Sequence, residues 1–277
     1  MVFPKISLRN HTCFSGGENT PEEMILSAIK AGAQTLGMTC FAGASFSLRP
    51  QKKREEIAGF FREIAELSEK YREKLTILAG EERDFYADPA FYPCDYSIGF
   101  VHHLVADDGA ICPLDLSADR IHADVRAHFC GSMEALIRRY FETVACLPEK
   151  TRCQLIADFD FLQTFNRENA LFDPASTFYR AAALDAMETL VKKNVAFEIR
   201  LRKTAKEKPL SFSPEPDILR WLAAPGARFF LSANADRAED LFAGFSECAS
   251  YAKSCGVGGF SFPLGEGENA GFIGRKT

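Results

Sequence analysis

The stretch Thr20-Pro21-Glu22-Glu23 opens a helix between two short β-type runs, and it decides how the rest of the chain is interpreted. Threonine suits the N-cap of a helix, proline suits its first position, and glutamate at the third position completes a capping box. Apolar residues then follow at helical spacing. The flanking β-type runs are Val2–Leu8 and Thr35–Thr39. The beginning of the chain therefore predicts one β-α-β unit.

The same alternation continues to the end of the chain. Further β-type runs are Leu75–Ala79, Tyr96–Val101, Cys153–Ala157, Val195–Ile199, Arg228–Ser232 and Gly259–Phe262. Helix-period segments lie near residues 50–71, 133–144, 181–193, 214–223 and 238–254. Seven or eight such units without a linker favour a single closed α/β barrel over residues 1–277, with a doubly wound open sheet as the alternative. Residues 103–131 lack clear periodicity, which is typical of an excursion or lid over the barrel mouth.

Composition excludes several classes of protein. The chain of 277 residues carries a formal net charge of -5, which argues against a non-specific nucleic-acid binder. It has no apolar segment long enough to cross a membrane, and it begins without the pattern of a secretory signal. Nine cysteines, an odd number with no CxxC spacing, predict reduced thiols. We therefore expect a cytoplasmic protein, and the sequence predicts no oligomeric state.

Polar side chains follow most of the predicted strands, and a parallel α/β barrel gathers such residues at one mouth. The residues in question are Arg9, His11, Glu81, Glu82, His102, His103, Asp158, Asp160, Glu198, Arg200, Arg202, Asn234 and Asp236. Imidazole and carboxylate groups are ligands of Zn, Mn and Fe. Charged residues at strand ends are also commonly solvated or paired with one another. These positions alone leave a metal site and a cluster of ion pairs equally open.

Six short motifs occur in a characteristic order. They are Leu8-Arg9-Asn10-His11-Thr12-Cys13-Phe14-Ser15, Met38-Thr39-Cys40-Phe41, Gly80-Glu81-Glu82, Asp95-Tyr96-Ser97-Ile98-Gly99-Phe100-Val101-His102, Asp158-Phe159-Asp160 and Ala233-Asn234-Ala235-Asp236-Arg237-Ala238-Glu239-Asp240-Leu241. Their order and spacing resemble the polymerase and histidinol phosphatase (PHP) family, particularly its stand-alone histidinol-phosphatase-like members. The resemblance extends from about residue 6 to residue 260.

The resemblance implies a single distorted (β/α)7 TIM-like barrel of the PHP type that binds up to three metal ions at its mouth. It also implies hydrolysis of a small phosphomonoester, with histidinol phosphate as the nearest family substrate. The matching positions in this chain give a set of metal ligands: His11, Glu82, His102, Asp158, Asn234 and Asp236.

Several of the family's ligands are replaced in this sequence. The first histidine of the opening pair is Arg9, which has no lone pair to offer a metal. The histidine of the second motif is Phe41, and its neighbouring aspartate is Cys40. Asn234 stands where the family has an aspartate, so it is a neutral and weaker ligand. We therefore expect one or two divalent ions at most (Zn, Mn or Fe), or none.

Two functional hypotheses follow. In the first, the chain is a phosphatase-like hydrolase of a small phosphorylated metabolite. A remaining ion then supplies hydroxide, and Arg9, His102 and Asp236 act in catalysis. The phosphate oxygens would be bound by Arg200, Arg202 and Lys203, which follow the sixth predicted strand.

In the second hypothesis, the chain is a metal-poor pseudoenzyme or a small-anion-binding protein. Carboxylates that have lost their metal ions need another cation or raised pKa values. Arg9 is positioned to be that cation, and its planar guanidinium suits carboxylates. This hypothesis predicts direct contacts from Arg9 to Glu82, Asp158 or Asp236. An amidohydrolase barrel is a weaker alternative, because the sequence has no intact His-x-His motif.

Overall fold

The computed structural model describes residues 5–42, 54–87, 92–202, 210–223, 227–264 and 271–276. The strands are β1 (Ile6–Ser7), β2 (Thr35–Ala42), β3 (Thr76–Asp84), β4 (Tyr96–Phe100), β5 (His103–Val105), β6 (Ile111–Pro113), β7 (Leu155–Ile156), β8 (Ala196–Leu201), β9 (Phe212–Ser213), β10 (Arg228–Leu231), β11 (Gly259–Leu264) and β12 (Gly271–Lys276). The α-helices are α1 (Pro21–Lys30), α2 (Arg54–Tyr71), α3 (Ala118–His128), α4 (Met133–Ala145), α5 (Leu147–Thr151), α6 (Thr177–Lys192), α7 (Pro216–Leu222) and α8 (Phe245–Ser254). Within these ranges, no helix combines the length and hydrophobicity that a bilayer crossing requires.

Seven parallel strands form a curled sheet in the order β1-β2-β3-β4-β7-β8-β10, and β9 pairs antiparallel with β8 at its margin. The first and last strands approach each other just beyond their carboxyl ends. There Asn10 and Ala235 form a parallel bridge, and the amide of His11 donates to the carbonyl of Ala235 at 2.8 Å. The predicted α/β architecture with a parallel sheet is confirmed, and the curl brings the carboxyl ends of distant strands to one place.

The interior of the curled sheet is filled by side chains from its strands. Tyr96 is the bulkiest of these, is 1% exposed, and donates from its hydroxyl to the carbonyl of Leu8. Its ring lies against Gly37 and Gly80 on the two neighbouring strands. A Cβ atom at Gly37 would come within 2.2 Å of the Tyr96 hydroxyl, and one at Gly80 within 2.3 Å of its ring. These two glycines therefore provide the space that the tyrosine occupies.

The outer face of the sheet is covered by the helices. α1 and α2 pack on β2 and β3 through buried side chains that include Met24, Ile25, Phe60 and Ile64. The predicted capping box is present at the start of α1. The Glu23 amide donates to Oγ1 of Thr20 at 3.3 Å, and the Thr20 amide donates to the Glu23 carboxylate at 2.8 Å. Local sequence and packing therefore specify the same helix start.

Two predicted elements are corrected by the structure. The segment 238–254 is not one helix, because Ala238–Asp240 forms a 3-10 turn and α8 begins only at Phe245. Gly244 precedes α8 with a φ of 76°, a conformation that favours glycine. The run beginning at Gly259 does not join the parallel sheet; it forms β11, which pairs antiparallel with β12.

Residues 103–131 contain regular structure that the sequence pattern did not predict. β5 and β6 form an antiparallel hairpin, and α3 follows it. Leu104, Cys112 and Ile121 of this segment are at most 1% exposed and belong to the large core cluster. The lid role of this segment stays a prediction. Two further predicted starts, residues 2–4 of the first strand and 50–53 of the second helix, lie outside the described residues.

Candidate functional site

A cavity of about 560 Å³ opens at the carboxyl ends of the parallel strands. Its lining includes seven residues that the sequence predicted as site residues, namely Arg9, His11, His102, Asp158, Arg200, Asn234 and Asp236. Glu82 lies beneath this surface, is 1% exposed, and contacts two of them. The strand-end positions thus converge as expected for a parallel sheet that curls on itself.

Arg9 is the centre of the site. It is 4% exposed, and its guanidinium contacts carboxylates from three other strands or strand ends. Nε donates to Glu82 at 2.9 Å, and Nη1 donates to Asp158 at 3.1 Å and to Glu198 at 3.1 Å. Burial acts to lower the pKa of this guanidinium, but the three carboxylates outweigh burial and hold the pKa well above its ordinary value. Arg9 is therefore a permanent cation among buried acids.

His11 connects the buried acids with the mouth of the cavity. Nε2 lies 2.7 Å from a Glu82 oxygen, and Nδ1 lies 2.7 Å from an Asp236 oxygen. Burial acts to lower the pKa of His11, whereas Glu82 and Asp236 raise it, and the result is a pKa of about 9. An imidazolium donates from both ring nitrogens, which matches a ring held between two carboxylates.

Glu82 accepts bonds from both of these cations and from Thr39, whose hydroxyl donates at 2.6 Å. Burial alone would raise the pKa of Glu82, but Arg9 and His11 hold it far below its ordinary range. This carboxylate is consequently ionised at every pH at which proteins normally function.

Asp158 is the second acid that Arg9 neutralises, and it is 3% exposed. Arg200 binds it from the other side through Nε at 2.9 Å and through Nη2, and Nε2 of His102 lies 3.3 Å away. Burial acts to raise the pKa of Asp158, but Arg200 and Arg9 hold it well below its usual range. Its backbone has a φ of 54°, a strained conformation for a residue other than glycine.

One wall of the cavity is aromatic. Phe161 stacks on His102 with ring centroids 4.0 Å apart, and Phe41 stacks on Phe100 at 5.5 Å. Phe41 and Phe161 both line the cavity. Phe41 therefore supplies apolar surface to the cavity.

Not every predicted site residue reaches this cavity. Arg202 is directed to Asp160, which is fully buried and also accepts from the hydroxyl of Ser213 at 2.7 Å. Glu81 also turns away, because it pairs with Arg83 at 2.9 Å on the opposite face of β3 from Glu82. Lys203 lies outside the described residues.

Three residues outside the predicted set of ligands and catalytic residues take part in the site. Glu198 was among the strand-end residues expected at the mouth, and the structure shows it to be a partner of Arg9. Thr39 supports Glu82, and Asp115, from the segment of residues 103–131, lines the cavity. The signal for Glu198 was its place at a strand end, whereas nothing in the local sequence marks Asp115.

The residues at this site do not fit a metal ion. The guanidinium of Arg9 lies within hydrogen-bond distance of Glu82, Asp158 and Glu198, so these carboxylates already share a cation. Within the described part of the chain, no three His, Cys, Asp or Glu side chains are arranged so that they could hold a metal ion. The predicted ligand residues meet, but they meet as ion pairs.

The nine cysteines are all described, and none forms a disulfide.

The architecture and the strand-end site together define a fold class, the PHP histidinol-phosphatase-like fold. The first similar structure is a candidate histidinol phosphatase, hisK, from Listeria monocytogenes. It shares 17% identity at a TM-score of 0.66, over 87% of this chain and 99% of that one.

The second similar structure is the histidinol phosphate phosphatase HISK from Lactococcus lactis, in complex with Zn, L-histidinol and phosphate. It shares 16% identity at a TM-score of 0.65, over 97% of this chain and 99% of that one. No protein-family model matches the chain, and no curated protein matches it.

Proposed function

We propose that this chain is a metal-independent binding protein for a small phosphorylated metabolite, built on the fold of the histidinol phosphatases. The observation that carries the proposal is the position of the Arg9 guanidinium, bonded to Glu82, Asp158 and Glu198 at the floor of the cavity. A fixed cation at this place performs the charge neutralisation that metal ions would otherwise provide. It cannot supply hydroxide, so binding without hydrolysis is the expected outcome.

Phosphate binding is supported by the cations that face the cavity. Arg200 is partly exposed there, and its contacts with Asp158 and with the carbonyl of Leu201 use at most three of its five N–H donors. His11 adds a second positive charge at neutral pH, because its pKa is about 9, although both of its ring nitrogens are bonded to Glu82 and Asp236. The remaining N–H groups of Arg200 are charge-assisted donors, which are well suited to phosphate oxygens.

The rest of the ligand is expected to lie against the aromatic wall. Phe41 and Phe161 offer apolar surface, whereas Asp115 and Asn234 offer oxygen acceptors. Oδ1 of Asp115 and Oδ1 of Asn234 are buried and accept no hydrogen bond from the described residues. Buried acceptors of this kind favour a ligand that brings its own N–H or O–H donors. The volume of about 560 Å³ is adequate for a metabolite.

The fold-level proposal is that the sheet closes into a distorted (β/α)7 barrel. The bridge between Asn10 and Ala235 supports closure at the carboxyl end, where β1 and β10 approach each other. Contacts across the interior, such as that from Arg9 to Glu198, support the same arrangement.

The competing function is a metal-dependent phosphatase of a small phosphomonoester. It is supported by the fold shared with the Lactococcus lactis enzyme, whose structure contains Zn, L-histidinol and phosphate. His11, His102, Asp158 and Asp236 surround the same cavity here. In this function a divalent ion would have to displace Arg9 from its carboxylates.

A calorimetric titration in buffer containing EDTA distinguishes the two functions. Histidinol phosphate and inorganic phosphate serve as probes, and released phosphate is measured in parallel with added Mn or Zn. We expect binding without turnover. Arg200→Gln should weaken phosphate binding about tenfold or more, because one charge-assisted contact is lost.

Arg220→Gln is the matched control, because this exposed arginine pairs with Asp217 on α7, away from the cavity. It should leave the affinity unchanged. Absence of binding in EDTA would overturn the proposal of a metal-independent binding protein. Hydrolysis that appears once Mn or Zn is added would overturn it in favour of the phosphatase.

A further inference from the structure

A second cavity, of about 690 Å³, lies on the outer face of the sheet between α2 and the start of β7. Its position follows from the chain connections. The segment from β2 to β3 contains α2, and the segment from β4 to β7 contains α4 and α5, so those parts of the outer face carry helices. The described residues between β3 and β4, 85–87 and 92–95, form no helix. No helix among the described residues of the β3–β4 connection therefore covers the outer face of these two strands. The cavity is lined by the strands themselves and by neighbouring elements such as α2, and we call it the outer cleft.

The walls of the outer cleft are largely apolar. Phe61 and Ile64 face it from α2, and Ile77 faces it from β3. Tyr92 stacks on Phe61 with ring centroids 5.9 Å apart. These side chains form a surface on which an aliphatic or aromatic group can be buried.

A buried carboxylate also lines this apolar cleft. Glu81 is 2% exposed, and one of its oxygens lies 2.9 Å from Nη1 of Arg83. Its other oxygen, Oε1, is buried and accepts no hydrogen bond from any described residue. A carboxylate oxygen withdrawn from water normally has a donor, so this atom lacks a partner that a ligand could supply.

The charge around the outer cleft favours a cationic ligand. Glu69, Glu81 and Asp95 line it, and Arg152 is the one basic residue among the described lining. Arg83 pairs with Glu81 from outside the lining, so the acidic groups still outnumber the basic ones. Apolar walls with a single buried carboxylate are unsuited to a bare metal ion, which needs several ligands. They suit an organic cation, whose N–H groups satisfy the carboxylate while its carbon skeleton covers the walls.

We propose that the outer cleft binds a small organic ammonium ion, with its nitrogen donating to Oε1 of Glu81 and its apolar part between Phe61, Ile64 and Ile77. This site is separate from the strand-end cavity, because Glu81 and Glu82 point to opposite faces of β3. The proposal is independent of the function proposed for that cavity.

The probes for the test are benzylammonium and its neutral analogue benzyl alcohol, titrated into the full chain by calorimetry. Benzylammonium should bind about tenfold more tightly than benzyl alcohol, because a charged N–H donor bonds a carboxylate more strongly than a neutral hydroxyl does. Glu81→Gln should remove this preference. Glu66→Gln is the matched control, because it makes the same change in charge at a residue that is exposed on α2 and does not line the cleft. This variant should bind benzylammonium as tightly as the unmodified chain does.

A second variant keeps the test decisive if Glu81→Gln fails to fold. Ala65→Trp places a large side chain in the outer cleft from the exposed side of α2 and leaves the Glu81–Arg83 pair in place. It should abolish benzylammonium binding without changing the far-ultraviolet circular dichroism spectrum, which reports helix and strand content. Equal affinity for the two probes in the unmodified chain, or benzylammonium binding that persists in Ala65→Trp, would overturn the proposal.

Discussion

Replacing Arg9 with methionine tests the electrostatic organisation of the site. Methionine keeps an unbranched side chain but removes the charge and all the donors. Three carboxylates, those of Glu82, Asp158 and Glu198, then lose a partner within 3.2 Å. Leaving a buried charge without its partner typically costs about 3–5 kcal/mol. We expect a loss of that size at pH 7, which is a large part of the stability of an ordinary domain.

The loss should depend on pH with a definite sign. In the unmodified chain the pKa values of Glu82 and Asp158 lie below their unfolded values, so their stabilisation is present above pH 4 or so and is lost only as the pH falls further. Without Arg9, the folded pKa values of these carboxyls move upward, although His11 still bonds Glu82 and Arg200 still bonds Asp158. An upward move of a folded carboxyl pKa destabilises the variant relative to the unmodified chain, and this difference grows as the pH rises. The destabilisation caused by Arg9→Met should therefore be larger at pH 8 than at pH 5.

Urea unfolding at pH 5, 7 and 8 measures both effects. Arg237→Met is the matched control, because Arg237 also contacts two carboxylates, Glu239 at 3.0 Å and Asp240 at 2.9 Å, but its side chain is 46% exposed. An exposed ion pair is worth about 0–1 kcal/mol, so the control should change little. A loss below about 1 kcal/mol for Arg9→Met, or a loss that does not grow with pH, would refute the reasoning.

Two further variants test separate parts of the structure. The raised pKa of His11 stabilises the fold by about 3 kcal/mol below pH 6.5, and this stabilisation is lost as the pH rises to about 9. His11→Gln should therefore remove this fall in the free energy of unfolding between pH 6.5 and about 9. If denaturant titrations show the same dependence of that free energy on pH in the variant, the prediction is contradicted. Gly80→Ala should cost about 1–3 kcal/mol by driving a Cβ against the buried ring of Tyr96, and an unchanged unfolding midpoint would contradict that contact.

The order of the strands of the parallel sheet could be predicted because it follows from local patterns, whereas β5, β6 and α3 show no such pattern. The capping box at Thr20 and the apolar spacing after it determine the start of α1 from adjacent residues alone. Sheet closure depends on pairing between β1 and β10, which are far apart in the chain, so the sequence could only favour it. Local spacing can also mislead, as it does around Gly244. Apolar residues at helical spacing lie on both sides of Gly244, but its left-handed conformation separates the 3-10 turn from α8.

The candidate site could be predicted to the level of strand ends, but not to the level of partners. The rule that strand ends converge gathered Arg9, His11 and His102 correctly around one cavity. The rule did not show that β3 extends to Asp84. Because Glu81 and Glu82 lie within the strand, they face opposite sides of the sheet. Nor could the rule direct Arg202 to Asp160, a pairing made across 42 positions of the chain.

Contact of Arg9 with Glu82 and Asp158 was an explicit consequence of the metal-poor hypothesis, and the structure has both contacts. The third contact, to Glu198, could not be inferred, because it depends on how closely the curled sheet brings the end of β1 to β8. The chemistry of Arg9 could thus be inferred from residue type, whereas the full set of its partners required the fold.

Metal analysis of the native protein tests the central claim most directly. The protein is purified without a metal-affinity tag or a chelator, and its Zn, Mn and Fe contents are measured by mass spectrometry against protein concentration. With Arg9 serving as the cation of the buried carboxylates, we expect all three contents to be near zero. A stoichiometric transition ion that disappears in His102→Ala would contradict the account.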